Sequence, residues 1–125
     1  IVKKRNIMAK RYNKLFEDTH IKIPTILKEN LSTFHLYQVH FHPLLNRSKF
    51  NYFFEYMYKR KIYTTIHYQP IHLLSYYKKL GFKKGMFPNA EQHSNSCFAV
   101  PLYDSLKISE QKKIVKTIKN FFINI

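Results

Sequence analysis

A stripe of four large apolar side chains between residues 47 and 60 places the strongest limit on how this chain can fold. Phe50, Phe53, Phe54 and Met57 stand at positions i, i+3, i+4 and i+7. This spacing puts the four side chains on one face of an α-helix, and such a face needs an apolar surface to pack against. The sequence therefore predicts an amphipathic helix that belongs to a folded domain with a core.

Helical spacing also appears at both ends of the chain. Apolar residues recur among polar ones over the first 16 residues and again from Ser109 onward. The residues with this spacing are Ile1, Met8, Tyr12 and Leu15 near the start and Ile114, Ile118, Phe121 and Phe122 near the end. We therefore predict two further amphipathic helices, over residues 1–16 and from Ser109.

Three segments have the composition of β-strands. Residues 34–41 alternate along the chain, and β-branched and aromatic residues are concentrated at 62–68 and in a shorter run at 97–103. One face of the first segment carries Tyr37, Val39 and Phe41. Alternation with a period of two and β-branched composition both favour extended strands, so we predict three of them.

The remaining segments indicate turns and short helices. Residues 21–32 suggest an irregular connection, and residues 72–80 predict a short helix closed by Gly81. Pro88 suits the first position of another helix, which we expect to continue to about residue 97. The order of elements predicts an α+β fold of two layers, in which a small antiparallel or mixed sheet has helices on one face.

The net charge of +15 over 125 residues raises the question of nucleic-acid binding. Lysines and arginines are spread along the whole chain, which favours a solvated surface over a phosphate-binding patch. The chain is also rich in the residues that A/T-rich codons encode. We therefore keep a basic nucleic-acid-binding module only as an alternative.

The sequence shows no sign of a membrane span or an export signal. No apolar run approaches the roughly 18 residues that a membrane helix needs, and no leader pattern is visible. The single Cys97 cannot form an internal disulfide, which fits a reducing compartment. We expect a cytoplasmic protein of one domain, residues 1–125.

His67, Tyr68 and His72 form the densest group of side chains that could take part in chemistry. They lie where the second predicted strand ends and the chain turns. Imidazole and phenol groups at such a place could donate to phosphate or hydroxyl groups, but they could equally cap the strand and pack under the next helix.

Other kinds of site are less well supported by the sequence. His40 and His42 share a face of the first strand and could chelate a metal, but no carboxylate and no cysteine pair accompany them. We therefore expect no metal site. Gly81 and Gly85 are the only glycines, which excludes a phosphate-cradling glycine loop. The chain offers no complete catalytic constellation.

Five motifs occur in one order along nearly the whole chain. They lie within the segments HLYQVHFHP, IYTTIHYQPIHLLSYYKKLGFKKGMFPNAEQ and VPLYDSLKISEQKKIVKTIKNF. With these motifs the sequence resembles the DegT/DnrJ/StrS family of sugar aminotransferases, and within it the enzymes that aminate a 4-keto-6-deoxy sugar carried on UDP.

The resemblance implies the small C-terminal domain of a fold-type-I aminotransferase. Residues 1–20 would be a linking helix and residues 21–125 the small domain, while a large domain outside this chain would hold pyridoxal 5'-phosphate and its Schiff-base lysine. It also implies a nucleotide-sugar substrate, glutamate as amino donor and a homodimer. His67, Tyr68 and His72 match the family turn that borders the active-site cleft, so the resemblance gives them a substrate-side or supporting role.

Two departures from the family pattern weaken the local structure. Lys61 stands where the family commonly has glycine, and a backbone that needs positive φ would be strained there. Lys107 stands where the family has a capping threonine, so we expect capping of the last helix to shift to Ser109 or weaken.

The sequence also begins at Ile1 rather than Met and opens at once on a helical pattern, so we expect a piece of a longer protein. We expect this piece to be inactive alone, because the resemblance places the Schiff-base lysine in the missing large domain. A non-catalytic remnant of a broken gene is the alternative.

Overall fold

The computed structural model describes residues 1–42 and 44–123. Its helices and strands follow the order predicted from the sequence, apart from one added and one missing strand. None of the helices in these two ranges is long and apolar enough to cross a membrane. The elements are α1 (Val2–Leu15), β1 (Ile21–Lys22), β2 (Tyr37–Phe41), α2 (Arg47–Lys59), a 3₁₀ turn (Ile71–Leu73), α3 (Ser75–Lys79), α4 (Pro88–Ser94), β3 (Cys97–Val100) and α5 (Ile108–Ile123).

The three strands form an antiparallel sheet in the order β1-β2-β3. Val39 in β2 pairs with Phe98 in β3, and Phe41 pairs with Ile21 in β1. The predicted alternation of β2 is confirmed, since its odd-numbered residues are buried while Gln38 and His40 are partly exposed. Strand β1 lies in the segment predicted to be irregular, because two residues are too short a run to show a period.

The core fills the space between one face of the sheet and the three long helices. Phe53 from α2 lies 4.7 Å from Phe98 and 5.2 Å from Phe121 of α5, measured between ring centroids. Tyr12 from α1 lies 5.1 Å from Tyr37. Burying large aromatic rings in this way is the main source of stability for a domain of this size. The predicted α+β fold with a small sheet is confirmed: the three long helices pack on one face of the sheet, and the short α4 lies against the opposite face.

The predicted strand over residues 62–68 is wrong in extent. Only Thr65 pairs, in an isolated antiparallel bridge in which it exchanges two backbone hydrogen bonds with Ala99. The segment starts from a tight turn at Lys61, and Pro70 lacks an N–H to donate. A β-branched run therefore crosses the edge of β3 at one point without extending the sheet.

Two helices end in the same motif with different residues. After α2, the N–H groups of Lys61 and Ile62 donate to Tyr58 and Met57, with N···O distances of 2.8 and 3.1 Å. This Schellman arrangement places the residue that follows the cap in the left-handed region, and Lys61 has φ of +58°. Lys61 therefore occupies a position with positive φ, the condition under which the sequence predicted strain.

Helix α3 closes in the same way on Gly81. Gly81 and Phe82 donate to Lys78 and Tyr77, and Gly81 has φ of +96°. The predicted closure of this helix by Gly81 is confirmed. Glycine has no Cβ to clash in this region, whereas lysine does, so the same turn is strained after α2 and relaxed after α3.

Helix α5 is capped differently from our expectation. The shift of capping to Ser109 is wrong, because the helix already begins at Ile108 and the capping group is Glu110. Its carboxylate accepts a hydrogen bond from the backbone N–H of Lys107 at 2.6 Å. This is one half of a capping box, and the lysine side chain cannot supply the other half.

Candidate functional site

The turn that follows Thr65 holds the first two predicted site residues. The rings of His67 and Tyr68 lie 4.5 Å apart at right angles, and Tyr68 is 72% exposed. The Nε2 atom of His67 lies 2.8 Å from the hydroxyl of Thr65. The bridge between Thr65 and Ala99 thus ties this pair to the edge of the sheet.

The other ring nitrogen of His67 is unusual. Its Nδ1 atom is buried and has no hydrogen-bond partner among the described residues. An unpaired buried polar atom costs about 1–3 kcal/mol, so a partner from outside these residues would stabilise the turn. Of the predicted residues, His67 therefore has the clearest reason to contact something else.

His72 has a different environment from the other two. It is only 7% exposed, its ring lies 4.8 Å from that of Phe87, and its Nε2 atom is 3.0 Å from Oε1 of Glu91. The same carboxylate oxygen accepts the N–H of Gly85 at 2.6 Å. The hydrogen bond from the Gly85 N–H, and to a smaller extent the one from His72, holds the pKa of Glu91 below its usual value. His72 therefore links the 3₁₀ turn to α4 through Glu91.

A second group of side chains lies on the face of the sheet opposite the core. His40 in β2 pairs directly with Cys97 in β3, and His93 in α4 lies above them with its ring centroid 4.8 Å from that of His40. One ligand atom from each residue lies within 4.8 Å of the others. His42, which the sequence paired with His40, is exposed in the bend after β2.

The ionisation of this group follows from its burial. Burial, the nearby His93 and Lys22 all lower the pKa of His40, so its imidazole is neutral near pH 7. Cys97 is fully buried, and this raises the pKa of its thiol to about 11. Sequence reasoning missed the group because His40 lies more than fifty residues from the other two. Its only local signal is the spacing of four between His93 and Cys97.

The described residues do not fit pyridoxal phosphate. A Schiff-base lysine needs a desolvated pocket, and every lysine of this chain is exposed. The N–H groups of the two glycines, which could otherwise donate to a phosphate, are also occupied, that of Gly85 by Glu91 and that of Gly81 by Lys78.

The fold is that of solved sugar aminotransferases. The chain superposes on Spr1654 from Streptococcus pneumoniae, assigned as a sugar aminotransferase, with a TM-score of 0.92 and 26% identity, over 99% of this chain and 31% of that one. It superposes on Helicobacter pylori PseC, an aminotransferase involved in the biosynthesis of pseudoaminic acid, with a TM-score of 0.85 and 23% identity, over 99% of this chain and 33% of that one.

The sequence itself gives the family. The model of the DegT/DnrJ/EryC1/StrS aminotransferase family matches residues 1–119, and the chain belongs to that family. An uncharacterized protein of Methanocaldococcus jannaschii, MJ1066, is 36% identical over 94% of this chain and 31% of its own length. The chain therefore spans about a third of the length of the relatives it matches.

Proposed function

We propose that this chain is the C-terminal, substrate-side part of a pyridoxal-phosphate-dependent aminotransferase that acts on a nucleotide-linked keto sugar. Glutamate would be the amino donor, and the working enzyme would be a cytoplasmic homodimer. The match of residues 1–119 to the family carries the proposal. The solved pyridoxal-phosphate and pyridoxamine-phosphate forms of Spr1654 support the choice of cofactor.

The remaining two thirds of the protein would hold the cofactor and the reactive lysine. This division of labour agrees with the exposed lysines and occupied glycine N–H groups of the present chain. It also accounts for the many large apolar side chains at the surface, which include Tyr63, Tyr68, Ile71 and Tyr76, each more than 60% exposed. Many large apolar side chains left exposed are expected where another part of a protein covers the surface.

Within this division, His67 and Tyr68 would contact the substrate, and His72 would hold the turn in place. The buried, unpaired Nδ1 atom of His67 is the observation behind this assignment. A hydroxyl or phosphate oxygen of a nucleotide sugar would give that nitrogen its missing hydrogen bond once the groups that cover it move aside on binding. The exposed Tyr68 hydroxyl could donate beside it.

A non-catalytic remnant of such an enzyme is the second candidate. It shares the fold, and two observations favour it: the strained left-handed Lys61 and the lysine at the start of α5. Both are small losses of stability that a protein under relaxed selection would accumulate.

A chimera tests the proposal directly. Residues 1–125 would replace the matching third of Spr1654, and the hybrid would be assayed for cofactor absorbance, for conversion of the cofactor by glutamate, and for amination of a UDP-linked 4-keto-6-deoxy sugar. We expect all three. A folded hybrid that binds the cofactor and reacts with glutamate but never aminates the sugar would favour the remnant.

Two variants of the hybrid test the site. His67→Ala should raise the KM for the sugar about tenfold while the cofactor spectrum is unchanged, because a hydrogen bond to a charged phosphate oxygen is worth about 1.5 kcal/mol. His42→Ala removes an exposed imidazole elsewhere and should leave the KM as it was. Equal KM values in the two variants would overturn the assignment of His67.

A further inference from the structure

The group formed by His40, His93 and Cys97 has the composition and compactness of a metal site. The three ligand atoms lie within 4.8 Å of one another. Around a tetrahedral zinc ion, ligand atoms at the usual bond lengths of about 2.0–2.3 Å are roughly 3.5 Å apart. His93 is exposed on α4, so a rotation of its side chain can close the difference. Two strands fix the other two ligands opposite each other.

The hydrogen bonds of Ser96 prepare His40 for coordination. The Ser96 hydroxyl donates to the carbonyl of Gln92 at 3.0 Å, and it therefore accepts from Nδ1–H of His40 at 3.1 Å. With the proton on Nδ1, the lone pair of His40 is on Nε2. A metal-binding histidine commonly has its other nitrogen held in this way, which fixes both the tautomer and the ring orientation.

We propose that His40, His93 and Cys97 bind a borderline-soft divalent cation, Zn²⁺ or its substitute Co²⁺, with a fourth position open to water. Two imidazoles and one thiolate are a ligand set that zinc accepts, whereas Mg²⁺ and Ca²⁺ prefer oxygen. The site lies apart from the turn at His67 and does not depend on the proposed aminotransferase function. It revises the expectation of no metal, which rested on pairing His40 with His42.

A cleft gives a metal ion access to the histidines of this site, and one positive charge nearby opposes its binding. A cleft of about 440 Å³ is lined by His40, His42 and His93, so an ion can approach the two histidine ligands from solvent, while Cys97 is buried beside them. Lys22 from β1 also lines this cleft, and no carboxylate does. Binding must displace the proton of the Cys97 thiol, because the thiolate is the ligand: the S–H bond breaks, a metal–sulfur bond forms, and the proton passes to solvent.

Cobalt titration of the purified, reduced chain is the first test. We expect one Co²⁺ per chain, an absorption band from thiolate-to-metal charge transfer, and release of about one proton per ion into a weakly buffered solution. Zn²⁺ should abolish the cobalt spectrum by displacement.

Four variants separate this site from adventitious binding. Cys97→Ser should remove the charge-transfer band, and Ser96→Ala should weaken binding about 10–100-fold while all three ligands remain. Lys22→Glu should strengthen binding, and His35→Ala, at an exposed position outside the cleft, should leave it unchanged. Circular dichroism of each variant confirms that the chain is folded. Affinity for Co²⁺ that is equal in the wild-type, Cys97→Ser and Ser96→Ala chains, or no cobalt spectrum in the folded wild type, would overturn the proposal.

Discussion

Replacing Lys61 by glycine should make this protein more stable. Lys61 is held at φ of +58° by two backbone hydrogen bonds and by burial of the adjacent Ile62, which is only 5% exposed. A residue with a Cβ in the left-handed region costs roughly 1–2 kcal/mol. Glycine also makes the unfolded chain more flexible, which lowers the free energy of unfolding by about 0.4–1 kcal/mol. The net gain should be about 0.5–1 kcal/mol.

Urea denaturation followed by far-UV circular dichroism measures this gain. The midpoint should rise with an unchanged slope, and the melting temperature should increase by roughly 2–6 °C. Lys61→Ala is the matched control, because it removes the same charge but keeps the Cβ, so it should be no more stable than the wild type. Gly81→Ala tests the same motif in reverse. A Cβ there would meet no atom within 4 Å, so any loss of about 1 kcal/mol must come from the backbone.

The reasoning would be refuted if the glycine and alanine variants at position 61 unfolded at the same urea concentration. Strain at Lys61 would then contribute nothing measurable, and the left-handed turn could not be counted as a weakness of the chain.

Three further changes test other parts of the structure by urea denaturation. Lys107→Thr should complete the capping box with Glu110 and stabilise the fold by about 1 kcal/mol, whereas Lys107→Ala should not. The pKa of Glu91 is lower in the folded chain than its usual value of 4.5, so its ionised carboxylate stabilises the fold above pH 4.5 and this stabilisation is lost as the pH falls through the lowered pKa. Glu91→Gln should therefore flatten the fall in unfolding free energy below pH 4.5. Phe53→Ala should cost about 3–5 kcal/mol, while Tyr52→Ala, at a half-exposed position, should cost far less.

The parts of the fold that repeat a local pattern could be predicted from the sequence. The stripe of Phe50, Phe53 and Met57 faces the core as expected, since an apolar face of a helix has only one way to avoid water. The prediction of a strand over residues 62–68 was wrong in extent, because β-branched composition favours an extended chain but does not supply a partner strand. Pairing at Thr65 depends on where β3 lies, which is a property of the whole fold.

The candidate sites were predictable only in part for the same reason. His67 and Tyr68 are neighbours in the chain, and a turn after an extended run exposes such residues. The contact of His72 with Glu91 joins residues nineteen apart, and that of His40 with Cys97 needs the register of two strands. The helical and strand spacing of apolar residues in a sequence does not predict contacts between residues so far apart in the chain.

Because Cys97 is buried, its reaction with a thiol reagent can report local unfolding of the domain. It is the only cysteine, and it is buried on the face of the sheet that α4 covers. An alkylating reagent is much larger than a metal ion, so we expect it to react with Cys97 mainly in molecules that have lost their structure around β3, and the alkylation rate in native conditions then measures how often this happens. The chain lacks tryptophan, and this single thiol offers a way to follow unfolding without adding a fluorescent label.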